Sequence, residues 1–463
     1  MAIVTSAMSP DETRERKAVY LTVWRWHFYA GLYVVPFFVM LSLTGLVMLA
    51  RGPVERWQLG DLVTPADRGV PATHEARLQA ARAARPGATF VRYEPGPASL
   101  DITRVIVDID ARPHTIFVDP VTTRVRGVID QRWTLHQIAD TMHGTLFVGV
   151  PGDRLIEIAA GLGVMLLVSG LYLWFPGLAS LWSSLAIRRH PRRLVWRDVH
   201  TLTGVLLAPV LLFYLVSGLA WAGVWGEWFV QAWNTYPAEL AAPQGGEHVH
   251  GELNAGGAKV VPWNLEQTPL PQSAAAGHVH EQTPLPLDTI VAVARTAGIG
   301  DQFWAGVPAG VNGVWTVAQT AMAANIIDPR EEMTVHIDRY TGAILGVVTW
   351  DDYGAGAQAM AAGIPLHMGY LGWWNYAGAV GVCLAVLGLS ATGVAMWWLR
   401  RPNRAGRLVA PPAAPITRVP PLTWATLVVL AVGMPLFGAT LVGIAVVDRV
   451  VLRRFPALLE RLS

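Results

Sequence analysis

The stretch WRWHFYAGLYVVPFFVMLSLTGL (residues 24–46) decides the reading, because the chain repeats its pattern as RDVHTLTGVLLAPVLLFYLVSGL (residues 197–219). Counting from His27, glycine stands at +4 (Gly31), proline at +9 (Pro36) and glycine at +18 (Gly45). Counting from His200, the same residue types stand at +4 (Gly204), +9 (Pro209) and +18 (Gly218). Each +18 glycine follows a small hydroxyl residue, Thr44 or Ser217, and precedes a leucine, Leu46 or Leu219. Both stretches are apolar over a length that crosses a bilayer. A histidine at the mouth of a membrane helix needs a polar partner or a metal. A duplicated one points to a paired site.

The composition puts these stretches in a lipid bilayer. Of 463 residues, 52% are hydrophobic and 15% charged, and the mean hydropathy is +0.37. The net charge is +2, and lysine occurs only at Lys17 and Lys259. The arginines cluster beside hydrophobic spans, so they carry no nucleic-acid signal. Cys383 is the single cysteine and lies in an apolar run, which excludes an internal disulfide and a cysteine-based zinc or iron–sulfur site. There is no C-x-x-C-H, so a haem would be held without covalent attachment. The first apolar run, Ala18 to about Ala50, is too long for the h-region of a signal peptide.

Apolar runs of membrane length predict transmembrane helices at 18–50, 155–176, 201–224 and 374–399, and a fifth at 423–447. Short arginine-rich pieces set the orientation. Arg14, Arg16 and Lys17 lie in 1–17; Arg188, Arg189, Arg192, Arg193 and Arg197 in 177–200; Arg400, Arg401, Arg404 and Arg407 in 400–422. These pieces are expected in the cytoplasm, and the long connections 51–154 and 225–373 in the periplasm. A single crossing at 423–447 is the preferred reading, although it places Arg449, Arg453, Arg454 and Arg461 of the tail, 448–463, outside. The break at Gly433-Met434-Pro435 leaves a re-entrant hairpin as the alternative.

The second and fourth spans match each other as well. His143 is followed by Gly149, Gly170 and Trp174 at +6, +27 and +31; His367 by Gly372, Gly393 and Trp397 at +5, +26 and +30. The fold class predicted is therefore a membrane α-helical bundle of four core transmembrane helices, in two parallel repeats, with a fifth helix. An axis along the membrane normal keeps equivalent residues at equal depth. His27 and His200 then share the cytoplasmic level, and His143 and His367 the outer level. Two axial histidines suit a b-type haem in electron transfer. Gly31 and Gly204, one turn after the ligands, would let a macrocycle approach, and Arg25 and Arg197 would bind propionates. His136, seven residues before His143 and on the same helical face, is the competing ligand.

The outer regions read as small helix-plus-sheet modules, one per repeat. In the first, 72–85 is helical, Val105–Ile109 and Thr115–Val118 are strands, and a turn follows at Asp119-Pro120. In the second, 286–298 is helical, Gly313–Gln319 and Met333–Ile337 are strands, and a turn follows at 338–342. Between them, 238–285 is loop-like. It holds two His-Val-His triplets, His248/His250 and His278/His280, whose alternate histidines would share one side of an extended segment and bind copper or zinc. The bland reading is a solvated loop.

The segments Trp26-His27-Phe28-Tyr29-Ala30-Gly31-Leu32, Met142-His143-Gly144-Thr145-Leu146-Phe147-Val148-Gly149, Leu366-His367-Met368-Gly369-Tyr370-Leu371-Gly372 and Met396-Trp397-Trp398-Leu399-Arg400-Arg401-Pro402 resemble the PepSY-associated transmembrane family over roughly residues 18–402. The Asp-x-x-Thr-Gly turn at 338–342 is similar to a PepSY domain signature, and the first copy carries Thr123 where Gly342 stands in the second. The resemblance implies PepSY-like periplasmic domains. Members include inner-membrane reductases of ferric siderophores with two b-type haems, and iron-uptake proteins without a defined substrate. It implies that His27, His143, His200 and His367 are haem ligands.

The expected function is a di-haem protein of the bacterial inner membrane. It takes electrons from a cytoplasmic or quinol donor and reduces a ferric siderophore or other ferric chelate in the periplasm. Ferrous iron is held less tightly by hard oxygen ligands, so reduction releases it. The sequence shows no carboxylate or nucleophile constellation for acid–base catalysis. The rival readings are a copper-binding or copper-reducing membrane protein, and a non-enzymatic one whose PepSY modules bind a protein partner or inhibit a protease.

Overall fold

The computed structural model describes residues 10–64, 69–96, 98, 100–175, 187, 192–231, 248–254, 259–273, 283–401, 408–413, 420–450 and 454–455. His278, His280, Arg188, Arg189, Arg404, Arg407, Arg453 and Arg461 lie outside the described residues. In chain order the helices are α1 (Pro10–Leu49), α2 (Arg51–Leu59), α3 (His74–Ala84), α4 (Leu135–Thr145), α5 (Val150–Trp174), α6 (Arg192–Leu219), α7 (Leu287–Ala297), α8 (Ala355–Met368), α9 (Trp373–Arg400), α10 (Pro421–Gly433) and α11 (Pro435–Val450). The strands are β1 (Thr89–Glu94), β2 (Thr103–Ile109), β3 (Arg112–Val118), β4 (Val125–Asp130), β5 (Trp304–Gly306), β6 (Trp315–Gln319), β7 (Met333–Ile337) and β8 (Ile344–Thr349). The chain divides into two compact units, one of residues 1–45, 142–230 and 381–463, the other of 46–141 and 231–380.

The first unit is built of helices. Thr13–Leu49, Val150–Trp174, Arg193–Leu219 and Trp373–Arg400 are long and apolar enough to cross a membrane, with window hydropathies of 2.0 to 2.2. The protein is a membrane protein with helical spans. At 40 residues, α1 is roughly 60 Å long, about twice the hydrocarbon core. It starts earlier than expected because Pro10 suits a first turn and the charged residues after it are good helix formers. Small residues set the helix spacing. A Cβ on Gly161 of α5 would stand 2.8 Å from that of Phe437, and one on Gly163 would stand 2.6 Å from the ring of Phe38. Phe437 is thereby buried among Ala30, Val34, Leu162 and Met165.

The fifth apolar run is not one continuous helix. It is two helices, α10 and α11, and the chain bends so sharply at Met434 that Gly438 packs against Ala431. Pro435 removes a backbone donor at the break. The carbonyl of Gly433 is satisfied from outside, by the Trp225 indole N–H at 2.9 Å.

The second unit holds one antiparallel sheet of eight strands in the order β4-β3-β2-β1-β5-β6-β7-β8. The two modules read from the sequence are its halves, joined where Arg92 and Tyr93 of β1 pair with Gly306 and Ala305 of β5. Joining them removes two exposed edges. On one face, α3 and α7 cover a single core that includes Leu78, Tyr93, Ile116, Leu287, Ile290 and Val335. The two helices cap each other: the Asp288 carboxylate accepts from His74 N–H (2.9 Å) and Glu75 N–H (3.0 Å), and Glu75 Oε2 accepts from Leu287 N–H (2.7 Å).

The halves end in twin turns. Asp119 Oδ1 accepts from Val121 and Thr122 N–H at 3.0 and 2.9 Å; Asp338 Oδ1 accepts from Tyr340 and Thr341 N–H at 2.8 and 2.9 Å. The residue that closes each turn is left-handed, Thr123 at φ +58° and Gly342 at φ +73°. A β-branched residue is strained there. Thr123→Gly is expected to stabilise the purified protein and Gly342→Thr to destabilise it, each by about 1 kcal/mol, seen as opposite shifts of the thermal midpoint. Shifts of the same sign would contradict the assignment.

Glu332, between the 3-10 turn 329–331 and β7, is buried; one of its oxygens accepts from Ala321 N–H and Oε2 has no partner among the described residues. Burial pushes its carboxyl up to about 8. Because the folded value lies above the unfolded one, this contribution to stability is present below about pH 4.5 and lost as pH rises to about 8. Glu332→Gln is expected to raise the thermal midpoint more at pH 8.5 than at pH 5, and equal shifts would contradict this assignment.

Candidate functional site

Three of the four repeat histidines sit in the helical unit, and each is held the same way. His27 of α1 places Nδ1 2.8 Å from Ser169 Oγ of α5. His200 of α6 places Nδ1 2.9 Å from Thr392 Oγ1 of α9. His143 of α4 places Nδ1 2.8 Å from Thr44 Oγ1 of α1. Each hydroxyl gives its own proton to a carbonyl about a turn back in its helix: Ser169 to Met165 (2.7 Å), Thr44 to Met40 (2.8 Å), Thr392 to Leu389 (2.9 Å). With its proton given to that carbonyl, the hydroxyl oxygen accepts from the ring, so Nδ1 carries the ring proton and Nε2 keeps a free lone pair. That is the tautomer of a histidine that ligates through Nε2.

The residue after each hydroxyl is glycine. A Cβ there would stand 3.2 Å from His27 Cε1 at Gly170, 3.6 Å from His200 Cε1 at Gly393 and 3.9 Å from His143 Cε1 at Gly45. The hydroxyl holds the ring and the glycine makes room for it. The Thr44-Gly45 pair is legible as a repeat mark in the sequence. Ser169-Gly170 and Thr392-Gly393 are the same device on α5 and α9, where the spacing shows only the glycines. Gly31 and Gly204 serve differently: a Cβ at either would meet Leu166 at 4.0 Å or Leu389 at 3.7 Å, which is ordinary helix packing.

His367 lies in the second unit, in the last turn of α8 ahead of left-handed Gly369. Ser217, which the repeat relates to Thr44, donates to the Phe213 carbonyl at 2.7 Å, as Thr44 does to Met40.

The predicted propionate arginines are already engaged. Arg25 donates to the Pro411 carbonyl at 2.7 Å and lies over the Tyr29 ring. Arg197 donates twice to Asp198 Oδ1, at 3.1 and 2.8 Å. The arginine that sequence reasoning misses is Arg400. It lies over the rings of Trp24 and Phe28, which flank His27, and its Nε is buried without a partner among the described residues. At the end of an apolar span it reads as a topology signal only.

The His-Val-His pair does not share one side. His248 is exposed and bonds Glu252 Oε2 at 2.7 Å. His250 turns inward at the start of a 3-10 helix, with Nδ1 2.8 Å from the Thr268 carbonyl and Nε2 3.1 Å from His336 Nε2. Burial pushes the His250 imidazole down to about 4. Among the described residues no group of three or more His, Cys, Asp or Glu is placed to hold a metal ion. The competitor His136 lines a polar pocket of the second unit, where burial and the Arg51 charge push it down to about 4.

No curated protein matches the chain at a significant level. The family model of the PepSY-associated TM region matches residues 24–400, from the start of the first repeat stretch to the end of α9, and takes in all four repeat histidines. The chain belongs to the PepSY-associated transmembrane family.

Proposed function

We propose that the protein is an inner-membrane electron-transfer protein that binds two b-type haems without covalent attachment and reduces a ferric siderophore or other ferric chelate in the periplasm, with electrons from a cytoplasmic or quinol donor. The observation that carries this is the shared tautomer: three half-buried imidazoles among apolar helices, with Nδ1–H tied to a helix hydroxyl and Nε2 bare. An apolar interior does not leave such a nitrogen without a use. His27 with His200 would hold one haem and His143 with His367 the other. Haem held by these histidines would supply one-electron transfer.

The chain's own residues do the rest. Ser169, Thr44 and Thr392 fix ring orientation and keep the proton off Nε2, and their acceptor oxygen on Nδ1–H raises the basicity of the ligating nitrogen. Arg400 supplies an unpaired donor beside Trp24 and Phe28 for a propionate. His27 and Thr44 are 17 positions apart on α1, roughly 26 Å along the helix, close to the thickness of the hydrocarbon core. The His143 ring bonded to Thr44 and the His27 ring therefore stand near opposite ends of one span. The divergent surroundings of His248 and His250 weigh against the copper reading.

The test is haem content per chain in detergent-purified protein, with a reduced-minus-oxidised spectrum. Two low-spin b-type haems are expected. His27→Ala or His200→Ala is expected to lose one, and His143→Ala or His367→Ala the other. Unchanged haem in all four variants overturns the ligand assignment, and a colourless wild type leaves the partner-binding reading. Ser169→Ala and Thr392→Ala are expected to weaken retention of the first haem about 10–100-fold, and Thr44→Ala that of the second, with the folded yield unchanged.

A further inference from the structure

The two faces of the sheet differ in kind. One carries the shared apolar core; the other, in the first half, is charged and incompletely paired. Arg92 and Glu94 of β1 and Arg104 of β2 line a pocket of about 50 Å³ with Arg51 and Glu55 of α2. Glu55 accepts from Arg51 Nε at 3.1 Å and from Arg104 Nη2 at 2.8 Å. Glu94 accepts from Arg92 Nε at 2.7 Å. Three guanidinium groups face two carboxylates, so one positive charge is left over.

The excess lies with Arg51 and Arg104, which share Glu55, while Arg92 holds the unmade donor. The side chain has no solvent exposure. Its Nη1 donates to the Leu253 carbonyl at 2.6 Å, and its Nη2 is buried with no acceptor among the described residues. A buried donor left unmade is costly, most of all on a charged group. A guanidinium N–H to a carboxylate oxygen is a charge-assisted hydrogen bond, the strong kind.

The second half of the sheet shows that the fold does not require this charge. The twin turns align Phe117 with His336, and the registers then align Arg104 with Thr316 and Arg92 with Trp304. Over Trp304, Leu253, Val260, Val261 and Leu265 pack into an apolar cluster. The arginines belong to the first repeat alone.

We propose that this pocket is a binding site for a carboxylate, or an oxyanion of that size, carried by a larger ligand. It admits the group and excludes the body of a chelate. Arg92 Nη2 is the buried anchor, and Arg104 and Arg51 share the charge with Glu55. The carboxylate has two possible sources: an arm of a soluble hydroxycarboxylate chelate, which rests on the reductase reading, or a propionate of a bound haem. The site itself rests on neither.

The experiment is calorimetric titration of the full-length protein in detergent with citrate, on preparations made with and without haem supply. One site per chain is expected. Arg104→Gln is expected to weaken binding at least tenfold, as loss of a charge-assisted bond does. Glu55→Gln removes the carboxylate that competes for Arg51 and Arg104 and is expected to tighten it, a direction that misfolding does not produce. Binding to both preparations assigns the soluble source; binding only to the haem-free one assigns the propionate. Absence of binding in both, or binding indifferent to both substitutions, overturns the proposal. A colourless protein that binds citrate separates this site from the redox reading.

Discussion

Everything in the helical unit answers to one constraint: a ring with two nitrogens, placed among apolar helices, must have one of them satisfied without consuming the other. The chain solves this with a hydroxyl that is already bonded to its own helix. Ser169, Thr44 and Thr392 spend their protons on carbonyls of the preceding turn and offer oxygen to the imidazole. Such back-bonding is mildly unfavourable for a helix on its own. Here it fixes which ring nitrogen carries the proton. The glycine that follows determines how near the helices lie, so ring position and helix spacing are set by adjacent residues.

The sheet unit applies duplication differently. Its two halves share a core, a pair of mutually capping helices and matching Asp turns, yet their other faces have diverged. One is a charged cleft under α2. The other is covered by Leu253, Val260, Val261 and Leu265 and contains the His250–His336 contact. The face that builds the fold kept its symmetry, and the face free of that duty did not.

Much of this could be read from the chain. The spacing of His27 and His200 with their glycines, the four spans, helices α3 and α7 and the Asp turns all follow from patterns within one segment. What escaped depends on distant partners. β5 is three residues long and exists because β1 lies beside it. Ser169 and Thr392 are unremarkable in apolar helices until a ring from another helix reaches them. The His248/His250 alternation fails because the chain turns into a 3-10 helix at His250, which ends the period of two. Gly433-Met434-Pro435 announced a break, but its sharpness comes from Gly438 meeting Ala431.

The seam between β1 and β5 also governs the order in which the molecule can be completed. Glu94 and Gly306 are 212 positions apart, and α5 and α6 are both made between them. At ordinary rates of synthesis of about 5–20 residues per second, the β1 edge waits roughly 10–40 s for its neighbour while two membrane spans are inserted. During that interval the first half is a four-stranded sheet with an open edge and a helix, α3, whose acid cap Asp288 has not yet been made. Completion of the sheet is therefore a late, long-range event, and the nascent first half must be kept from pairing with other chains until the second repeat arrives.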